Sequence, residues 1–303
     1  PFDASLPTVV FIHGAEHDHC VWVLQSRYLA HHGHSVLAVD LPGHGRSGGA
    51  PLATVEAMAD WIVGVLDAAG VQQASLVGHS MGSLVAVECA ARYPDRIAKI
   101  ALVGTAFPMK VSDELLAATR DDEPLAQDMV NIWSHSAYAH FPGNPGPGFW
   151  LIGENLRLMQ RQKPGVMHVD FAACNAYANG LVAAEQVRCP ALLVAGRRDM
   201  MTPPRAAKEL ASKLANARTV EIAGSGHALM AEKPDDVLAK EREAHQKAIA
   251  EALKEGRKMP VLEVVSLPLS DDLFGRTYKL LGHWTSVELV EERFIRWQQP
   301  LVL

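Results

Sequence analysis

The residues best suited to chemistry are Gly78-His79-Ser80-Met81-Gly82, which follow the short apolar run 74–77. A strand that ends in Gly-x-Ser-x-Gly and continues into a helix holds the central serine on a sharp, strained turn clear of the sheet. Glycine is needed at both flanks because a side chain there would collide with neighbouring backbone. The pattern predicts that Ser80 is a nucleophile. It also predicts that the N–H of Met81 stabilises the oxyanion formed in acyl transfer.

A serine hydroxyl is a weak nucleophile at neutral pH, so it needs a base, and the base needs an orienting acid. Asp199 follows the apolar run 191–196, and His227 follows the strand-like run 219–222 within a loop that contains glycines. Catalytic side chains of open parallel sheets commonly lie where a loop leaves a strand. The chain order therefore predicts a catalytic triad of Ser80, Asp199 and His227, with His227 as the base.

The elements around these residues alternate between strand and helix up to residue 105. Continuous apolar strands separated by helices favour an α/β fold, with a doubly wound, mostly parallel sheet covered on both faces. Strands are predicted at 8–12, 35–39, 74–77, 97–103, 191–196 and 219–222, and helices at 22–32, 83–93 and 54–69, the last with Thr54 as its N-cap.

The alternation stops between residues 106 and 186, where helical spacing continues without a convincing strand. Helices are predicted at 112–119, 123–139, 149–162 and 167–181, with an irregular loop at 142–148 that is rich in proline and glycine. We expect this insertion to form a cap over Ser80 that excludes water and shapes an apolar pocket. Met129 and Trp133, one helical turn apart, are the first candidates for substrate contact.

Three further motifs complete a resemblance to the α/β-hydrolase superfamily, in its capped serine-hydrolase or esterase branch. They are His13-Gly14-Ala15 after the first strand, the loop 40–47, and Gly224-Ser225-Gly226-His227. The resemblance covers residues 1 to about 238 and implies that the N–H of Ala15 is the second oxyanion donor. It also implies structural roles for His13, His44 and His79. A serine at position 80 argues against the branches that use an aspartate nucleophile, the epoxide hydrolases and haloalkane dehalogenases.

Composition excludes several other classes of function. The chain has 303 residues and a formal net charge of −6, which argues against nucleic acid as the main partner. No apolar run approaches the length of about 20 residues needed for a membrane span. Histidines and cysteines lack metal-ligand spacing, and no glycine-rich phosphate loop is present, so we expect no cofactor. The four cysteines lack a disulfide framework, which favours free thiols and a cytoplasmic location.

Residues 241–303 form a C-terminal extension that resembles no family we can name. A long charged helix is predicted at 235–258, a strand-like run at 261–265, and an apolar helical stretch at 278–299. The segment is too apolar for a solvated linker. It could cover the core, form a homodimer contact or be a foreign fusion, and packing on its own or a neighbouring core is favoured. The predicted organisation is therefore a hydrolase core at 1–105 and 187–240, a helical cap at 106–186, and this extension.

These observations predict a cofactor-independent serine hydrolase that cleaves a small or medium-sized carboxylic ester through an acyl-enzyme intermediate. The same triad could instead hydrolyse a carbon–carbon bond or a lactone, because contacts from the cap select among these reactions. A non-catalytic ligand-binding protein on the same fold is a further alternative, since such proteins can retain a triad.

Overall fold

One parallel sheet organises the computed structural model, which describes residues 2–140 and 150–239. Its strand order is β2-β1-β3-β4-β5-β6, and every neighbouring pair is parallel. This result confirms the predicted α/β class with a doubly wound sheet. The strands are β1 Thr8–Ile12, β2 Ser35–Val39, β3 Ala74–His79, β4 Ile97–Val103, β5 Ala191–Gly196 and β6 Ala217–Ile222.

Helices and short 3₁₀ segments connect the strands. Thr54 caps the second helix as predicted, because its hydroxyl oxygen accepts from the N–H of Ala57 at 3.1 Å. The α-helices are α1 Val23–His31, α2 Val55–Ala68, α3 Met81–Arg92, α4 Asp113–Asp121, α5 Glu123–Ser134, α6 Leu151–Gln160, α7 Val166–Ala176, α8 Gly180–Gln186, α9 Lys208–Lys213 and α10 Leu229–Glu232.

Both faces of the sheet are buried, which explains why the central strands are continuously apolar. In β1, Val10 and Ile12 pack in the core layer that contains α2, α3 and α8, whereas Val9 and Phe11 pack with Trp22 on the opposite face. The whole of α3 from Met81 to Ala91 is buried, so this helix lies inside the core layer rather than on its surface.

The described part of the segment 106–186 contains the helices α4 to α8 and no strand, as expected. Two predicted helix boundaries are wrong. The helix expected at 123–139 ends at Ser134, and the stretch expected at 167–181 is divided into α7 and α8. The division between α7 and α8 occurs at Tyr177. There the backbone becomes extended, and the hydroxyl of Tyr177 donates to Glu88 on α3 at 2.6 Å. A buried polar anchor therefore overrides the local helical pattern.

Several sequence predictions lie outside the described residues. They include the loop at 142–148, most of the helix predicted at 235–258, and the C-terminal extension 241–303 with its proposed dimer contact. The described residues fall within one compact unit of the chain. In that unit all four cysteines are free, and no described helix combines the length and apolarity that a bilayer crossing requires.

Candidate active site

The candidate site lies where the strand order reverses. The chain runs from β1 to β2 on one side of β1 and then returns to β3 on its other side. In open parallel sheets this reversal opens a crevice at the carboxyl ends of the strands, where ligands bind. The loop after β1 carries Ala15 and the turn after β3 carries Ser80, so both predicted groups lie at the crevice.

Ser80 occupies the strained turn that its motif predicts. It has φ 51° and ψ −117°, a left-handed conformation that is uncommon for a residue with a side chain. A Cβ atom added to Gly78 would overlap the carbonyl group of Gly82, and one added to Gly82 would overlap that of Ile12. The N–H of Ser80 donates to the carbonyl oxygen of Val103 at 2.9 Å, which joins the turn to β4.

The two predicted oxyanion donors flank this turn. Met81 begins α3, where N–H groups lack partners within the helix and the helix dipole is positive. Gly14 lies so close to the turn that an added Cβ would stand 3.3 Å from the Cβ of Ser80. Among the described residues, no hydrogen bond uses the N–H of Ala15, the residue after Gly14. Both residues therefore lie beside the Ser80 turn, and their role as oxyanion donors stays a prediction.

The structure brings Asp199 and His227 together as a buried pair, with 2.8 Å between Oδ2 of the carboxylate and Nδ1 of the ring. Burial alone would raise the pKa of Asp199. The neighbouring His227 and hydrogen bonds from His227 and Thr202 outweigh burial and hold that pKa below its ordinary value. An ionised Asp199 fixes the proton of His227 on Nδ1 and leaves Nε2 as the basic nitrogen.

Gly104 connects the pair to the serine turn. It follows Val103, the acceptor for the N–H of Ser80, and a Cβ added to Gly104 would stand 3.1 Å from the ring of His227. The ring of His79, the residue before Ser80, lies with its centroid 4.6 Å from that of His227. The Nε2–H of His79 also donates to the carbonyl oxygen of His227 at 2.9 Å. Ser80 and His227 thus share the same neighbours.

Glu232 holds the loop of His227, a role that sequence reasoning missed. Its buried carboxylate accepts from the N–H and hydroxyl of Ser136 at 2.8 and 2.7 Å, and from the N–H of Gly226. The N–H of His227 donates to the carbonyl oxygen of Ser134 at 2.7 Å. These bonds explain why α5 ends at Ser134. The chain leaves the helix there to meet the His227 loop.

Two buried histidines near the site, His13 and His17, are uncharged at neutral pH. Burial and the neighbouring His44 lower the pKa of His13 to about 3, and burial lowers that of His17 to about 4. The Nδ1–H of His13 donates to the carbonyl oxygen of Gly14 at 2.8 Å, and its Nε2 accepts from the N–H of Leu41 at 3.1 Å. His13 therefore joins the loops after β1 and β2, the kind of role that the resemblance implies.

Asp170, on α7, connects the helical insertion to the loop after β1. Its fully buried Oδ2 accepts from the N–H of Glu16 and from Nε2 of His44, each at 2.8 Å. Glu16 directly follows Ala15 and has φ 53°, so this bond holds a strained residue beside the candidate oxyanion donor. Although burial lowers the pKa of His44, the bond to Asp170 raises it above the ordinary value overall.

Glu16 is itself protonated at neutral pH. Burial, reinforced by the carboxylates of Glu123 and Asp170, raises its pKa to about 9 despite a hydrogen bond from Gln127. The unfolded chain releases this proton at its ordinary pKa of 4.5. Between these values the folded state binds more protons, so this group makes the protein less stable as the pH rises.

We expect Glu16→Gln to remove that loss of stability. Between pH 5 and pH 9, the free energy of unfolding of the parent should fall by on the order of 5 kcal/mol more than that of the variant. Urea unfolding at both pH values measures the difference. Glu209→Gln, which changes an exposed glutamate, is the matched control and should follow the parent. Parallel pH profiles for Glu16→Gln and the parent would contradict the assignment.

In residues 2–140 and 150–239, only one group of three or more possible metal ligands has its donor atoms close together. Donor atoms of Asp18, His19 and Cys20 lie within 4.8 Å of one another. However, Asp18 already pairs with the guanidinium of Arg161, which overcomes the effect of burial and lowers the pKa of Asp18 to about 2. A resident guanidinium makes this an ion pair rather than an open metal site.

A cavity of about 310 Å³ opens above Ser80. Trp133 lines it, whereas Met129 is not among the described lining residues and packs with the apolar cluster of the insertion. Thr202 also lines it, and its hydroxyl oxygen lies 2.7 Å from Oδ2 of Asp199 and 3.1 Å from Nδ1 of His227. The lining residues are Ala15, Ser80, Met109, Lys110, Val111, Ser112, Leu115, Trp133, Phe171, Cys174, Met200, Met201 and Thr202.

Comparison with known proteins identifies relatives of this architecture. A family model described as the alpha/beta hydrolase fold matches residues 7–234. A pimeloyl-[acyl-carrier protein] methyl ester esterase from Chromobacterium violaceum is 32% identical over 230 residues, which cover 73% of this chain and 87% of that protein.

Two solved structures also have a similar fold, each with a TM-score of 0.70. A thermophilic esterase from Thermogutta terrifontis is 25% identical, and the match covers 80% of this chain and 90% of that one. The enol-lactonase from Burkholderia xenovorans LB400 is 26% identical, with 78% and 90% covered. From its sheet, its site geometry and these matches, the chain belongs to the α/β-hydrolase family.

Proposed function

We propose that the protein is a serine hydrolase that cleaves a small or medium-sized carboxylic ester through an acyl-enzyme intermediate. The main support is the position of the strained Ser80 beneath an apolar cavity whose wall includes Thr202, the residue bonded to the Asp199–His227 pair. The esterases among the similar proteins agree with this reaction class.

In this mechanism His227 Nε2 removes the proton from the hydroxyl of Ser80 as its oxygen attacks the ester carbonyl carbon. The carbonyl electrons move onto oxygen, and the N–H groups of Met81 and Ala15 stabilise that charge. When the tetrahedral intermediate collapses, the alcohol leaves with the proton from His227. Water, deprotonated by His227, then attacks the acyl carbon, and His227 returns this proton to the oxygen of Ser80 as the acid is released. Throughout these steps Asp199 stabilises the imidazolium and keeps its tautomer.

The walls of the cavity favour an apolar acyl or alcohol group. Trp133, Leu115, Phe171 and Met109 come from the helical insertion, and Met201 adds to the apolar surface from the loop after β5. A cavity of about 310 Å³ is at the small end of ligand-binding pockets, which suits a small or medium-sized substrate. Because the cavity is apolar, it also strengthens the interaction between the oxyanion and its donors.

A lactone is the second candidate substrate, supported by the similarity to an enol-lactonase. Lactones and esters share the same scissile bond, so the triad chemistry is unchanged. Two further alternatives remain. The same side chains could hydrolyse a carbon–carbon bond, or the protein could bind a ligand without catalysis.

Two measurements separate these functions. A fluorophosphonate should label Ser80, with the modified peptide identified by mass spectrometry. Turnover should then be compared on aryl esters, lactones and ring-cleavage diketones. We expect the parent to be labelled and to hydrolyse esters with the highest kcat/KM. Labelling with no turnover of any substrate would favour a binding protein, and labelling at a different serine would refute the assignment.

A further inference from the structure

One charged residue, Lys110, is among the described residues that line the cavity above Ser80, and it is exposed to solvent. The reaction assigned to Ser80, Asp199 and His227 does not use an ammonium group at this position. Apolar walls cannot compensate the charge of a ligand, so an anionic group would be stable in the cavity only beside a cation or several hydrogen-bond donors. Lys110 is the cation that such a ligand would meet at the rim of the cavity.

The segment that carries Lys110 is attached to the end of α7. Its Nζ donates to the carbonyl oxygen of Asn175 at 3.3 Å, and the next residue, Val111, donates its N–H to the side-chain oxygen of Asn175 at 3.2 Å. These two bonds fasten residues 110 and 111, which both line the cavity, to the end of α7. An ammonium carries three donors, so two remain for a ligand after the bond to Asn175.

Ser112, two residues along the chain and also exposed, offers a second donor. Its hydroxyl oxygen caps α4 by accepting from the N–H of Leu115 at 3.2 Å, which leaves the hydroxyl hydrogen to donate. Ser112 lines the cavity together with Lys110. The nearby carboxylates of Asp113 and Glu114 belong to the first turn of α4, are exposed to solvent, and do not line the cavity.

We propose that Lys110 and Ser112 form a subsite for a carboxylate on the substrate, so that the preferred esters carry an anionic group away from the scissile bond. This inference rests on the proposed ester hydrolysis and adds the substrate class to it. A charge-assisted hydrogen bond from Lys110 and a neutral one from Ser112 hold the carboxylate. The apolar remainder of the cavity contacts the chain between the carboxylate and the ester.

The experiment compares matched pairs of neutral and anionic esters. Methyl hexanoate and monomethyl adipate place the charge on the acyl side, whereas hexyl acetate and 6-acetoxyhexanoate place it on the alcohol side. We expect the parent to favour the anionic member of at least one pair by about tenfold or more in kcat/KM. The pair that shows this preference identifies the side of the ester that reaches Lys110.

Lys110→Met removes the charge and keeps much of the length of the side chain. This variant should lose the preference through an increase in KM for the anionic ester, with the neutral ester changed by less than about twofold. Lys110→Arg should restore most of the preference, because a guanidinium also binds carboxylate. Lys163→Met, which removes an exposed lysine that does not line the cavity, is the matched control and should retain the parent preference.

A binding measurement separates failure of this subsite from failure of the proposed reaction. Calorimetry with adipate and hexanoate requires no turnover. Adipate should bind the parent at least about tenfold more tightly than it binds Lys110→Met. If the parent hydrolyses none of the four esters but shows this difference, the subsite stands and the reaction does not. Equal affinities for adipate, or an anionic preference that persists in Lys110→Met, would overturn the subsite.

Discussion

Replacing Ser80 with alanine is expected to lower kcat on an activated aryl ester by about 10⁴-fold or more. The substitution removes the attacking oxygen but leaves the glycine-flanked turn and the Asp199–His227 pair in place. KM should change little, because the side chains that form the cavity walls remain. Steady-state kinetics measures both constants.

Ser212→Ala is the control for this result. Ser212 is an exposed serine whose hydroxyl donates to the carbonyl oxygen of Glu209, so its loss should leave kcat within about twofold of the parent value. Residual activity of Ser80→Ala above about one hundredth of the parent activity would show that another group attacks the ester.

The second large effect is expected from Asp199→Asn, which should lower kcat by about 10⁴-fold. The carboxylate accepts from the N–H groups of Met201 and Thr202 at 2.8 and 2.7 Å, and from the hydroxyl of Thr202 and the ring of His227. An amide has only one oxygen, so its NH₂ group must face one of these donors. If it faces His227, the ring takes the wrong tautomer and Nε2 no longer acts as a base.

Asp60→Asn is the matched control, because Asp60 is a partly exposed carboxylate paired with Arg92 on the surface. Its kcat should remain within about twofold of the parent value, since a surface ion pair contributes little. Thermal unfolding of both variants shows whether any loss of activity comes from loss of the fold. A folded Asp199→Asn protein with less than a tenfold decrease in kcat would exclude the proposed role.

The strands and the chemical groups were predictable because their signals are local. Each strand is a short apolar run, and the motif around Ser80 contains within five residues the glycines that its turn requires. Asp199 and His227 each follow a strand, where chemistry is expected in a parallel sheet. The structure places these two side chains in contact, and their catalytic roles stay predictions.

The supporting residues could not be predicted because their partners are distant in sequence. Asp170 bonds to Glu16 across 154 positions, and Glu232 bonds to Ser136 across 96. No local pattern reveals such a pair. Glu16 directly follows the His-Gly-Ala motif, but only its positive φ, which the structure shows, distinguishes it from its neighbours.

Helix ends and pocket contacts could not be predicted for the same reason, because both depend on tertiary contacts. Helical spacing continues past Ser134 and Tyr177, but tertiary hydrogen bonds end the helices there. Met129 and Trp133 are equivalent in the sequence pattern, yet only Trp133 is among the described residues that line the cavity. Both side chains pack against the apolar cluster of the insertion, and the packing of neighbouring helices determines that only Trp133 also reaches the cavity.

The buried carboxylate of Asp170 opposes movement of the helix that carries it. Lifting α7 away from the loop after β1 would separate this carboxylate from both of its donors in an apolar interior, at a cost of several kcal/mol. A hinged gate built on this helix would spend little time open. Molecules should therefore enter and leave past the rim, where Met200 is 68% exposed and its flexible side chain can turn aside without disturbing the oxyanion donors.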